Sequence, residues 1–146
     1  MKKVLVPLPY LTSWSLAAVY FALEFAKRNP VKVILLVWPP ESQPGAIGDE
    51  REQWQQRFAD FLEQGRQRGI SLEVQQVRGD IGPAVSRLAK ELGCSEIILG
   101  LPPPEDRRQQ QIRQLLKTLR EQVEGQIITV KPKEEGKMPD FSAKKY

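Results

Sequence analysis

Strands that alternate with helices predict an α/β fold: a doubly wound, five-stranded parallel sheet with helices on both faces, Rossmann-like in outline. Three observations carry this expectation. Runs such as Val33 to Val37 and Ile97-Ile98-Leu99 are apolar without alternation, as strands buried on both faces require. The stretches between them space apolar residues one helical turn apart. Each of these units is closed by Gly or Pro, and the order that results is β-α-β-α-β-α-β-α-β.

Lys3 to Leu8 reads as the first strand, with Pro7 at its end where a lost amide costs the sheet little. Thr12, Ser13 and Ser15 offer N-caps to a helix through Leu16, Val19, Tyr20, Leu23 and Ala26. Phe21, Ala22 and Phe25 occupy much of its other side, so something beyond the sheet should cover it. Asn29-Pro30 stops this helix, and Val31 to Trp38 forms a second buried strand. Pro39 to Gly48 is a long loop rich in proline, read as a flap over the sheet edge. Asp49 or Glu50 opens a polar amphipathic helix on which Trp54, Phe58, Phe61 and Leu62 recur, ending near Gly69. Ser71 to Val77 alternates imperfectly, as an edge strand does. Asp80-Ile81-Gly82-Pro83 is a helix-opening sequence with Pro83 expected at the first helical position, and Val85, Leu88, Ala89 and Leu92 form the buried stripe. After the strand Glu96 to Leu101, a helix is expected from Pro104-Glu105-Asp106, with Ile112, Leu115, Leu116, Leu119 and Val123 on one face. Gly125 ends it, and Ile127 to Val130 is the last strand.

The 146 residues, 40% of them hydrophobic, suffice for one domain with a substantial core, placed at residues 1–131. Residues 132–146 form a polar tail, expected to be flexible. Pro7 and Pro9 break the apolar run that follows Met1-Lys2-Lys3, and no apolar run approaches a bilayer-spanning length, so a cytoplasmic protein without membrane insertion is expected. A lone Cys94 excludes an internal disulfide, and the absence of His removes the usual zinc and His-dependent catalytic sets. No metal site is expected. The 22 basic residues are interleaved with 18 acidic ones, which argues against nucleic-acid binding.

Taken in order, these pieces resemble the universal stress protein family over about residues 2 to 131. The resemblance rests on Val4-Leu5-Val6-Pro7, Ser15-Leu16-Ala17-Ala18, Val33 to Val37, Gly79-Asp80-Ile81-Gly82-Pro83-Ala84, Glu96-Ile97-Ile98-Leu99-Gly100 and Ile127-Ile128-Thr129-Val130-Lys131. Nucleotide-binding members carry an Asp just after the first strand and a loop of Gly, two residues, Gly, nine residues, Gly, then Ser or Thr. Here Gly100 matches the first glycine, while the same spacing meets Pro103, Arg113 and Gln114, and the Asp position falls on or beside Pro9. Proline has no amide to offer a phosphate and sets a ring in its way. What the resemblance implies is thus a member of the subgroup lacking the glycine-rich loop, with no ATP bound in the family manner and no cofactor. It also implies a homodimer joined through Ile127, Ile128, Thr129 and Val130. Pairing that apolar edge, or covering it with the tail, is physically sensible in its own right.

The expected function is a dimeric regulatory or adaptor protein of the stress response that acts through an unidentified protein partner. The alternative is a sensor of a nucleotide or other anion, with a site rebuilt at the C-terminal ends of the strands from Trp38, Asp80, Gly82, Gly100, Arg107, Arg108 and Arg113. For each of these a structural role competes. In each case the structural role is the favoured reading: Asp80 as a helix cap, Trp38 packed beneath the flap, and the α-helical arginines as a solvated face. No catalytic residue is expected: Ser13 and Ser15 lack a partner base, Cys94 reads as a buried inert thiol, and a weak nucleotide hydrolase is the least supported class.

Overall fold

The structure is a computed structural model that describes residues 2–38 and 48–131, with backbone alone for 48–55. The expected flap, the C-terminal tail and the Trp54 side chain lie outside the described residues. The elements run β1 (Lys2–Leu8), α1 (Ser13–Arg28), β2 (Val31–Val37), α2 (Gly48–Gln67), β3 (Ser71–Gln76), α3 (Ile81–Leu92), β4 (Glu96–Gly100), α4 (Gln109–Gln122) and β5 (Gln126–Val130). All strands pair in parallel in the order β3-β2-β1-β4-β5. The order reverses beside β1, which places the switch point between β1 and β4.

Register sorts the side chains into two cores. Val4 is opposite Val33, and Ile98 is opposite Ile128. With alternation along each strand, Val4, Val6, Val33, Leu35, Ile98 and Ile128 meet Ala18, Ala22 and Leu23 of α1 on one face. On the other, Leu5, Ile34, Leu36, Ile97, Leu99 and Ile127 meet Val85 and Ala89 of α3 and Ile112, Leu115 and Leu119 of α4. Each such buried aliphatic chain contributes about 1.5–3 kcal/mol, which is why both faces must be covered. The second apolar side of α1 is covered by α2: Tyr20 meets Phe61 edge-on at 6.2 Å between ring centroids, and Phe58, Phe61 and Leu62 join the same cluster.

Local chemistry sets the helix ends. Thr12 caps α1 by accepting the Ser15 amide at 3.4 Å, and its carbonyl accepts the Leu16 amide at 3.0 Å. Gly93 closes α3 at φ 66°, with the Cys94 amide reaching back to the Ala89 carbonyl at 3.0 Å. Two starts differ from expectation. Pro83 is the third residue of α3, because the helix already begins at Ile81. Helix α4 begins at Gln109 and not at Pro104. The chain from Pro103 instead closes turns, Asp106 N to Pro103 O at 3.0 Å and Gln109 N to Asp106 O at 3.1 Å. The Asp106 carboxylate also takes the Arg108 amide at 2.8 Å, offering the backbone a partner that competes with helix.

Gly100 is a packing residue. A Cβ there would lie 2.4 Å from the Trp14 carbonyl oxygen and 3.4 Å from the Ala18 Cβ, so only glycine lets the first turns of α1 rest on β4. Gly100→Ala is therefore expected to destabilise the fold by about 1–3 kcal/mol or more, since backbone must move. Urea denaturation of the two proteins measures it; equal midpoints would remove this account of the glycine.

Candidate functional site at the C-terminal ends of the strands

Beyond the C-terminal end of β1, the chain turns through buried Pro9 and Tyr10 into α1. The Ser15 hydroxyl donates to the Tyr10 carbonyl and holds this turn against the helix it opens. Tyr10 and Trp14 pack with centroids 6.0 Å apart, and the Arg108 guanidinium lies over both rings, at 5.4 and 5.7 Å. Arg108 also grips Asp106 with two bonds, Nε to Oδ1 and Nη2 to Oδ2, each 3.0 Å. Their side chains are 17% and 14% exposed, so the pair is largely shielded from solvent.

The hydrogen bonds from Arg108 hold the Asp106 carboxyl below its usual range, against the opposing effect of desolvation. The Trp14 indole adds a little to that lowering, although its Nε1 reaches no acceptor in good hydrogen-bond geometry. Burial raises the Tyr10 phenol, and the positive charge of Arg108 only partly offsets it.

Next to this cluster a cleft of about 680 Å³ opens between the N-terminus of α3 and one face of α4. Tyr10 and Trp38 form its inner wall, Gly79 to Pro83 one side, and Gln110, Gln111, Gln114, Leu115 and Thr118 the other. Trp38 is 2% exposed and donates from Nε1 to the Gly79 carbonyl at 3.1 Å, which ties the end of β2 to the β3–α3 turn. Gly82 sits close to α4, where a Cβ would come 3.3 Å from Thr118. Asp80 occupies the N-cap position of α3 without a side-chain cap bond. The third residue of that helix is Pro83, so one of the two amides a capping carboxylate ordinarily takes does not exist.

The family model described as "Universal stress protein family" matches residues 1–103 of this sequence. The chain belongs to the universal stress protein family. No curated protein matches it in sequence. Solved structures similar to it include a universal stress protein family protein from Arabidopsis thaliana with AMP bound, at TM-score 0.61 and 14% identity over 92% of this chain and 94% of that one. Another is the universal stress protein from Archaeoglobus fulgidus in complex with dAMP, at TM-score 0.59 and 15% identity over 88% and 97%. A family protein from Burkholderia pseudomallei gives 0.57 and 19% over 88% and 94%. At such identities the likeness concerns the fold.

Within this universal stress protein the expected site residues divide. Trp38, Asp80 and Gly82 come together in the cleft. Gly100 lies against α1, Pro9 is buried in the β1–α1 turn, and Pro103 accepts the Asp106 amide. Arg107 and Arg113 are exposed and line no part of the cleft; Gln110, Gln114 and Thr118 point a different side of α4 toward it. Arg108 is engaged by Asp106, Tyr10 and Trp14, so the expected anion site built on it is replaced by an internal pair. Asp106, expected to open α4, is the partner that does this. Tyr10 and the face of α4 carrying Gln110 and Thr118 were not singled out from sequence, although an aromatic directly after Pro9 at a strand end is a usable signal. Cys94 is 8% exposed, and burial raises its thiol more than nearby Lys3 lowers it, in keeping with an inert thiol.

Asp106→Asn is expected to cost about 1.5–3 kcal/mol at neutral pH, the range for hydrogen bonds to a charged group. Because the folded carboxyl is lowered, its stabilisation is complete above the unfolded value and fades as pH falls through the folded one. The stability gap between wild type and variant should therefore narrow only below about pH 4. Denaturation midpoints between pH 2.5 and 7 test it, and a gap that stays constant into acid would contradict the assignment.

Proposed function

We propose that this universal stress protein is a non-enzymatic regulatory protein that works as a homodimeric adaptor in a stress response and does not hold ATP by the loop after β4. The β4–α4 connection carries the reading. Pro102 to Pro104 remove three successive amide donors just beyond Gly100, and Asp106 adds a carboxylate to the same connection. Arg108, in the same connection, is already bound to Asp106. Among the described residues no group of His, Cys, Asp or Glu is arranged to hold a metal ion, which gives metal-assisted hydrolysis no support. Among them too, no helix is long and apolar enough to cross a membrane.

Dimerisation through β5 is proposed in a modified form. Ile127, Ile128, Thr129 and Val130 are 5% exposed or less within one subunit, so their side chains serve its own core. What β5 offers a partner is its outer backbone edge. The Gln126 amide and Val130 carbonyl face β4, so by alternation the peptide groups of Ile127 and Thr129 face outward.

A second reading, a small-molecule sensor, is favoured by the cleft between α3 and α4, whose volume suits a small ligand. It no longer depends on Arg108 or on the amides around Gly100.

Thermal-shift titration with ATP, ADP and AMP, with and without magnesium, is expected to show no stabilisation at millimolar ATP. A ligand at a hundredfold excess over its dissociation constant would stabilise by about 2.7 kcal/mol, so a saturable shift with ATP would overturn the first reading. Sedimentation equilibrium is expected to return twice the chain mass, with slow hydrogen exchange at the Ile127 and Thr129 amides. A monomer mass at micromolar concentration would exclude the dimer.

A further inference from the structure

Helix α4 presents two sides of opposite character. Ile112, Leu115 and Leu119 are 3% exposed or less and fix the helix against the sheet. Arg113, Lys117 and Arg120 recur one helical turn apart on the other side, all exposed, and form a single outward stripe. From Arg107 to Arg120 the chain holds no acidic residue. Pairing within the helix, which would make this stripe an ordinary solvated face, is incomplete. Neither Arg113 nor Lys117 has an ion pair among the described residues, and Lys117 does not engage Glu121 four positions on.

The rest of the chain brings little countercharge. Residues 39–47 contain one acid, Glu41, and residues 132–146 carry four lysines against three acids, so neither segment has the net negative charge to neutralise three cations. Asp49, Glu50 and Glu52 belong to α2, which packs with α1 on the opposite face of the sheet. Three like charges within two turns repel one another, and an anionic partner relieves that repulsion.

The order of charges selects the kind of anion. Glu121 and Glu124 follow the three cations, so the sign changes at the C-terminal end of α4. A nucleic-acid backbone is uniformly negative and would meet those carboxylates, and α4 has no aromatic ring on which bases could stack. A protein helix repeats its side chains at the same intervals as α4 and can mix signs. Carboxylates one turn apart, followed by a lysine, match the stripe charge for charge, and guanidinium forks take carboxylates with two bonds.

We infer that the outward face of α4 docks an acidic helical segment of a partner protein, whose carboxylates, one turn apart, pair with Arg113, Lys117 and Arg120. The inference rests on the adaptor reading given above and names the chemistry of its partner. Exposed ion pairs are individually weak, so the three act together and their contact is sensitive to salt.

The probe is a fluorescent alanine-based helical peptide with three glutamates one turn apart followed by a lysine, titrated with the full chain by anisotropy. Controls are a peptide of the same composition in scrambled order and a short DNA duplex. Binding of the ordered peptide is expected to saturate, to weaken as salt rises and to shift the Arg113 and Lys117 amides in NMR spectra. Reversing both charges, Arg113→Glu with Lys117→Glu, should weaken it about tenfold, as two attractions become repulsions. The neutral pair Arg113→Gln with Lys117→Gln should weaken it by a smaller factor, and Lys90→Glu, an exposed cation of α3, should leave it unchanged. Equal affinity for the ordered and scrambled peptides would overturn the charge-matched pairing, and tighter binding of the duplex would overturn the partner class. Failure of the ordered peptide to bind would overturn the docking surface, whereas the adaptor reading stands or falls with the ATP titration and the mass of the dimer.

Discussion

The close approach of the α1 backbone to Gly100 is the constraint on which the rest of this molecule depends. With 2.4 Å between the Trp14 carbonyl oxygen and the position of a Cβ, the helix start is pressed onto β4. That contact sets the depth of Trp14 and of Tyr10 just before it. The two rings then become the platform on which Arg108 lies, and Arg108 brings Asp106 with it. The direction taken by the chain after the prolines follows. So does the late start of α4 at Gln109, and with it the face of α4 turned toward α3.

This chain of contacts separates two kinds of chemistry at one end of the sheet. The switch point beside β1 and β4 is occupied by a shielded ion pair stacked on aromatics, a structural arrangement with its hydrogen-bonding capacity largely spent. Among the described residues the neighbouring cleft is lined by aromatic rings, carboxamides and the start of α3, with Asp80 as its one charged side chain. The family fold is retained, and the β4–α4 connection carries Pro102 to Pro104 directly after Gly100 and Leu101. Fold alone does not transmit function.

Much of the architecture was legible from sequence because it rests on burial. Unbroken apolar runs such as Val33 to Val37 announced strands covered on both faces, and the apolar circumference of α1 announced a second cover, which Phe58, Phe61 and Leu62 supply. Helix starts were less legible. By propensity Pro83 is expected at the first helical position and Pro104 at a helix start, yet Pro83 is the third residue of α3, still in its first turn, and Pro104 precedes α4 by several residues. In the second case the winning effect is a side chain, Asp106, satisfying the Arg108 amide and guanidinium at once. Propensity does not register a bond of that kind.

The sequence by itself determined the α/β class, the parallel order of elements and the family, because hydrophobic period is a local property of the chain. Only the tertiary structure decided which polar groups meet. Whether Arg108 is an anion ligand or a structural cation depends on Tyr10 and Trp14, almost a hundred positions earlier in the chain. The cleft likewise joins the ends of β1 and β2 to α3 and α4. Electrostatic and hydrogen-bond energies fall off over a few ångströms, so their outcome is set by neighbours in space, and spacing along the sequence does not contain it.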